Sequence, residues 1–216
     1  KANGKLEKAI EAFEKALLLS PNNATIKMNL SDVKRRAVPF WHIAMVNDSY
    51  RNNSYFDAIK RAISKDDFVL EIGTGSGLLA MMAADSGAEN IITCEASKSI
   101  SKIAGQITSD NGYSHKIEVI NKKSTELVVG EDLPRKADVI ISEIFSAELV
   151  GEGVQPTILD ANKRLLRKNG KMLPQSGAIK IALLKTDNDI DKSAFVANVN
   201  GFDLSKFNTL SGNKLS

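Results

Sequence analysis

The chain has 216 residues, enough for one full α/β domain with further elements at either end. Its 43% hydrophobic and 25% charged residues are ordinary for a globular protein, and a net charge of +3, scattered along the chain, argues against direct nucleic-acid binding. The single cysteine, Cys94, excludes an intrachain disulfide framework, and no apolar run reaches the length of a membrane-spanning helix; a cytosolic or nuclear setting is expected, with no membrane partner and no metal site.

The opening stretch NGKLEKAIEAFEKALLLSPNN reads as a helix. Ala9, Ile10, Phe13, Ala16 and Leu17 recur at helical spacing, and Pro21 follows the last turn as a stop signal. Gly4, Ala9, Phe13, Ala16 and Pro21 also fall where the second helix of a tetratricopeptide repeat carries small, aromatic and stop residues. An unrelated amphipathic hairpin is the alternative. ATIKMNLSDVKRRA then reads as one further helix. A single repeat cannot bury its own apolar face, so residues 1–37 are expected to lean on the next domain or on helices upstream. The first residue is Lys1 rather than an initiator methionine, and the chain is expected to be a piece of something longer.

From residue 66 onward the pattern changes. DFVLEI, NIITCE, KIEVIN and ADVIIS are short runs rich in β-branched and apolar residues, and the helical stretches 77–87 and 97–111 separate the first three. Strands separated by helices predict right-handed crossovers and a parallel sheet buried on both faces. Residues 154–168 predict another helix with Gly170 as its C-terminal cap, and GAIKIALLK alternates like a strand. VNGFDLSKFNTLSGNKLS reads as the opening of a further domain.

An open parallel sheet binds ligands beyond the carboxyl ends of its strands. Four polar features are predicted at that edge: Glu71 with Gly73, Gly75 and Gly77 after it, then Glu95, Ser124 and Glu143. A dinucleotide fingerprint requires a third glycine where this chain has Leu78, which weakens a nicotinamide-cofactor reading. Farther on, SEIFSAELVGEGVQP sets Glu143 and Glu152 nine residues apart, with Gly151 and Gly153 flanking the second and Ile144, Phe145, Leu149 and Val150 available to desolvate a site between them. Two carboxylates facing each other in an apolar cleft repel unless a cation bridges them. A guanidinium suits that place, being planar, permanently charged and supplied with donors in a fixed fork.

The acid-x-G-x-G-x-G pattern followed by an acid after the next strand resembles the S-adenosylmethionine-dependent methyltransferases. The spacing of Glu143 and Glu152 is similar to the double-glutamate loop of the protein arginine N-methyltransferases. WHIAMVNDSYRNNSYFDAI, VLEIGTGSGLLAMMA, NGYSHKIEVINKKSTELVVG and SEIFSAELVGEG together look like the divergent branch containing members seven and nine, over residues 38–205. The repeat-like helices point towards member nine and INKKSTELVVG towards member seven.

The resemblance implies an α/β, Rossmann-like class I S-adenosylmethionine-dependent methyltransferase domain over residues 38–174. Tetratricopeptide-like helices over 1–37 would precede it, and the start of a β-barrel over 175–216 would follow. It implies that His42 and Arg51 lie on a helix folded over the cofactor, Arg51 pairing with the methionyl carboxylate, with Met45 lining the product side. Glu71, Gly73 and Gly75 would serve the methionyl end, Glu95 the ribose and the Ser124 backbone N–H the adenine edge. Glu143 and Glu152 would clamp the guanidinium of a substrate protein's arginine.

The family completes its pocket with a Thr-His-Trp loop from a downstream barrel, and no such tripeptide occurs in these residues. Ser146 stands where close relatives tend to carry an acid that restricts the pocket. A dimer or tandem pseudodimer would be the family's assembly. Two other readings compete: a non-catalytic scaffold that recruits partners through its repeat-like helices, and a methyltransferase acting on lysine or a small molecule.

Overall fold

The computed structural model describes residues 2–37, 41–145, 149, 151, 153–181, 198–199 and 202–203. Lys1–Ala178 and Ile179–Ser216 are two separate compact units. The first contains five strands, β1 (Phe68–Ile72), β2 (Asn90–Cys94), β3 (Ile117–Ile120), β4 (Ala137–Ser142) and β5 (Leu166–Leu173), all parallel and ordered β3-β2-β1-β4-β5. The chain builds outward from β1 through β2 to β3, then returns to lay β4 on the other side of β1. That reversal opens a crevice at the carboxyl ends of β1 and β4.

Because the side chains of a strand alternate, β1 feeds two cores at once. Val69 packs in one cluster with Ile59 of α4 (Ser49–Ala62) and with Leu79, Ala80 and Ala83 of α5 (Leu78–Asp85). Leu70 and Ile72 pack in the other with Leu127 and with Ala161 of α7 (Val154–Arg164). Each fully buried Leu, Ile or Val contributes about 1.5–3 kcal/mol through area removed from water, which accounts for the nearly continuous apolar reading of these strands.

At the amino end, α1 (Ala2–Leu19) and α2 (Ala24–Ala37) form a helix pair. The Asn23 side chain accepts a hydrogen bond from the Ile26 amide at 3.1 Å to begin α2, and Lys34 meets Glu14 across the pair at 2.8 Å. α1 meets the start of α6 (Lys98–Asp110), where Lys98 Nζ donates to Glu11 at 2.5 Å. No helix among the described residues is long and apolar enough to cross a membrane.

Three expectations require correction. The helix expected to carry both His42 and Arg51 is two helices, α3 (Trp41–Val46) and α4, broken at Asn47 and Asp48. Asp48 is the reason: its carboxylate accepts the Arg51 amide at 3.0 Å and starts a new helix. The helix expected over 154–168 stops at Arg164, and β5 follows at once. Gly170 lies within β5, where the register jumps from Ala137↔Leu166 to Val139↔Lys171. A Cβ there would fall 2.6 Å from Leu166 Cδ1 and 3.0 Å from the Asp138 carbonyl, so close packing, not capping, requires the glycine. The strand expected in GAIKIALLK is not formed over 177–181, and residues 182–185 lie outside the described ones. In the second unit β6 (Asn198–Val199) and β7 (Phe202–Asp203) pair antiparallel.

Candidate active site

The turn after β1 is shaped by its glycines. Gly73, Gly75 and Gly77 have φ of +82°, +52° and +81°, and the Gly73 and Thr74 amides donate to the Cys94 carbonyl at 2.9 and 3.2 Å. This ties the turn to the end of β2. A Cβ on Gly73 would meet Ile144 Cγ2 at 2.5 Å, whereas one on Gly75 would meet nothing within 4 Å. Gly73 therefore serves packing, and Gly75 presents its backbone to open space.

Glu71 supports this turn from beneath. It is 1% exposed and accepts hydrogen bonds from Thr93 Oγ1 at 2.6 Å and Thr74 Oγ1 at 3.0 Å. Burial pushes its carboxyl up to about 7 against the pull of those two hydroxyl donors, and the nearby Glu95 charge adds to the rise. Cys94 behaves as a small core residue, its thiol pushed up to about 12 chiefly by burial.

Glu95 follows β2 and reaches over the turn. Its Oε1 accepts the Ser97 amide at 2.9 Å and its Oε2 the Gly75 amide at 3.3 Å, while Asn121 Nδ2 donates to its backbone carbonyl at 2.8 Å. Ser124, 5% exposed, opens the 3₁₀ turn Ser124–Glu126. That turn is held by Arg164 of α7, which donates to the Ser124 and Leu127 carbonyls at 3.1 and 2.8 Å while Asp160 fixes the guanidinium from behind at 2.6 and 2.5 Å. The sequence pattern gave no sign of this role: Asp160 and Arg164, four residues apart on a helix, have the spacing of an ordinary surface pair.

Past the end of β4, Glu143 receives the guanidinium of Arg51 in an ion pair whose side chains are 14% and 18% exposed. Arg51 also donates to Asn52 Oδ1 at 2.9 Å and lies 5.6 Å from the centroid of the Tyr55 ring. Its Nε is buried and finds no acceptor among the described residues. Arg51 is thus not a solvated charge beside Asp48, which takes only its backbone amide. Tyr55, which sequence reasoning missed, donates to the Ser142 carbonyl at 3.1 Å, and burial raises its phenol well above the usual range. Its signal was available in retrospect, since Arg51 and Tyr55 are one helical turn apart.

Met45 and Val46 of α3 close over this region with Leu78, Gly75 and Glu143, leaving a cavity of about 40 Å³. Of the remaining expected residues, His42 lies in α3 with its side chain outside the described residues; Glu152 and Ser146 lie outside them altogether.

A parallel sheet reversing at β1, a glycine turn, an acid over that turn and a second acid past β4 define a Rossmann-like α/β domain of the methyltransferase class. The family model described as Ribosomal protein L11 methyltransferase (PrmA) matches residues 54–196, and the chain belongs to that methyltransferase family. The expected similarity to arginine methyltransferases is borne out. The Arginine N(omega)-methyltransferase of Streptomyces achromogenes subsp. streptozoticus is 41% identical over 83% of this chain and 50% of its own length. Protein arginine N-methyltransferase 7 of Drosophila erecta is 39% identical over 60% of this chain and 20% of its own. Among solved structures, the Trypanosoma brucei PRMT1 enzyme-prozyme heterotetrameric complex with AdoHcy is similar with a TM-score of 0.67 and 33% identity, over 82% of this chain and 55% of that one. The chain spans half the length of the first relative and a fifth of the second.

Proposed function

We propose that this chain is the cofactor-binding module of a protein arginine N-methyltransferase, which moves a methyl group from S-adenosylmethionine to the guanidinium of substrate-protein arginines. The supporting observation is the Arg51–Glu143 pair: the acid assigned to the substrate guanidinium already accommodates one, in a partly desolvated place beside the glycine turn. The relatives' names and the AdoHcy of the similar structure favour the same reading.

The residues fit such a cofactor. Gly75 leaves open space at the turn, Glu95 offers two acceptor oxygens for ribose hydroxyls, and the Arg51 Nε, without an acceptor among the described residues, is a donor that a methionyl carboxylate would satisfy. His42, Gly73 and Glu71 would complete the methionyl end, and the Ser124 backbone the adenine end. The cavity of about 40 Å³, lined by Met45, Arg51, Gly73, Gly75 and Glu143, would take the methionyl end, while the nucleoside would lie outside it, towards Glu95 and Ser124.

When bound, S-adenosylmethionine supplies an electrophilic methyl group on a positively charged sulfur. The chain's task is to make a poor nucleophile competent. An arginine side chain has a pKa above about 12 and delocalised lone pairs. Glu143, with Glu152 by the family pattern, would draw positive charge towards the nitrogens it binds and leave lone-pair density on the remaining one. Preorganised charge of this kind is commonly worth about 2.7–4 kcal/mol per group. Arg51 must release Glu143 before a substrate arginine can take its place, and the methionyl carboxylate would be its new partner.

The helix pair over residues 1–37, read as tetratricopeptide-like, would add partner recruitment, with Leu18 and Leu19 exposed for it at 81% and 87%. Residues 175–216 would begin a β-barrel, and the full-length protein would form a dimer or tandem pseudodimer. Mass spectrometry after incubation with labelled S-adenosylmethionine and an Arg-Gly-rich peptide tests the assignment. Label on arginine, absent from an Arg→Lys control peptide, is expected; transfer to the lysine control alone overturns it.

A further inference from the structure

The most specific contact of the amino-terminal helix pair falls beside Glu95. Glu7 and Glu11 are four residues apart on α1 and so share one face of it. Glu7 is half-buried against the start of α6. Its Oε1 accepts Ser97 Oγ at 2.8 Å and the Ser99 amide at 3.3 Å, and its Oε2 accepts Ser99 Oγ at 2.7 Å. Lys98, between them, meets Glu11. Ser97, Lys98 and Ser99 are therefore each held by α1.

The first of these residues also faces the candidate site. Ser97 caps α6, its Oγ accepting the Ile100 amide at 3.4 Å, and its own amide donates to Glu95 Oε1 at 2.9 Å. A carboxylate on a freely rotating side chain points where its donors hold it, and Glu95 has two: the Ser97 amide on one oxygen and the Gly75 amide on the other. Glu7 fixes the peptide that supplies one of them. Its negative charge is also well placed, because the first amides of a helix lack partners within the helix and favour an anion.

We infer that Glu7 is a positioning residue for the cofactor: by pinning Ser97 and Ser99 it orients Glu95, so that α1 belongs to the ribose half of the site and is more than a recruiting appendage. This rests on the reading of Glu95 as the ribose acceptor. The role is distinct from general support of the fold, because it passes through Glu95 and vanishes when that carboxylate is absent. The exposed Lys98–Glu11 pair, screened by water, contributes little to it.

Calorimetry of S-adenosylhomocysteine binding to the 216-residue chain tests this with the wild type, Glu7→Ala, Glu95→Ala and the double variant. Glu7→Ala should weaken binding about five- to tenfold in the wild-type background and leave Glu95→Ala, which has no acceptor for the Ser97 amide, unchanged within about twofold, the non-additivity of residues acting through one another. Binding by Glu7→Ala equal to the wild type overturns the inference. So does an equal loss in both backgrounds, which marks a merely structural effect. Should Glu7→Ala fail to fold, Ser99→Ala breaks the same contact from α6 and must show the same pattern; additive behaviour there overturns the inference as well. A wild type that binds no S-adenosylhomocysteine removes the underlying ribose reading, and the inference with it, before any variant is compared.

Discussion

Strand β4 has a carboxylate near each end, both carboxylates meet arginine, and the two places are built differently. Near the start, Asp138 accepts the Phe68 amide at 2.7 Å, Arg135 at 2.5 Å and Arg167 of β5. The Arg135 guanidinium, with burial opposing it, holds the Asp138 carboxyl below the usual carboxylate range. Its partners come from β1, the loop before β4 and β5, so the cluster staples the sheet to itself. Past the other end, Glu143 meets Arg51, carried by α4 from 92 residues away, whose Nε has no acceptor among the described residues. An ion pair by itself therefore does not mark a site. Unused hydrogen-bonding capacity beside an open turn does.

The comparison breaks most visibly on activity. In a protein that methylates arginine, Glu143→Gln should lower transfer by about a hundredfold or more while S-adenosylhomocysteine affinity is retained or rises, because the lost charge would no longer act on the substrate and would free Arg51 for the ligand's carboxylate. Undiminished transfer, followed by mass spectrometry, would refute the clamp. Next in size is the glycine turn. Gly75→Ala should keep the fold, with a left-handed strain of about 1 kcal/mol, and weaken S-adenosylhomocysteine about tenfold by filling the space the ligand needs. Calorimetry checks it, and unchanged affinity would place the ligand elsewhere.

At the other end of β4, Asp138→Asn should lower stability by about 1–2 kcal/mol without altering ligand affinity, because one charge facing two half-exposed arginines is lost while the Phe68 amide keeps an acceptor. Its folded pKa is depressed, so the contribution is present above the ordinary carboxylate pKa and is lost as pH falls through the depressed value. Thermal melts of both proteins should accordingly converge in acid. The last effect is read as a pH profile and concerns Glu71, a buried acid held by hydroxyl donors. With its pKa raised from 4.5 to about 7, its contribution is fully present below 4.5 and is lost as pH rises through about 7. Melts of Glu71→Gln should lack that decline; an identical pH profile would contradict the assignment.

The parallel sheet and the acids at its edge were legible because period, glycine placement and strand ends are local properties. Glu71, Glu95 and Glu143 each fall within one residue of a strand terminus, and topology then gathers them. What was not legible depended on partners distant in sequence. RKNGK reads as a polar helix end, yet β5 passes through it because an edge strand exposes those side chains and Gly170 relieves the crowding at Leu166. The break between α3 and α4 turned on one capping side chain, Asp48. Nothing near Arg51 in the sequence announces Glu143, nothing near Arg164 announces the Ser124 turn, and nothing near Glu7 announces Ser97. The other half of the double-glutamate loop, Glu152, lies outside the described residues, so sequence alone supports its role.

The decisive measurement is a crystal structure of the chain with S-adenosylhomocysteine. Ribose hydroxyls on Glu95, the amino-acid carboxylate on Arg51, and a Glu143 released from that arginine to face the sulfur are the predicted result. A ligand bound away from the glycine turn, with Arg51 still seated on Glu143, would contradict it.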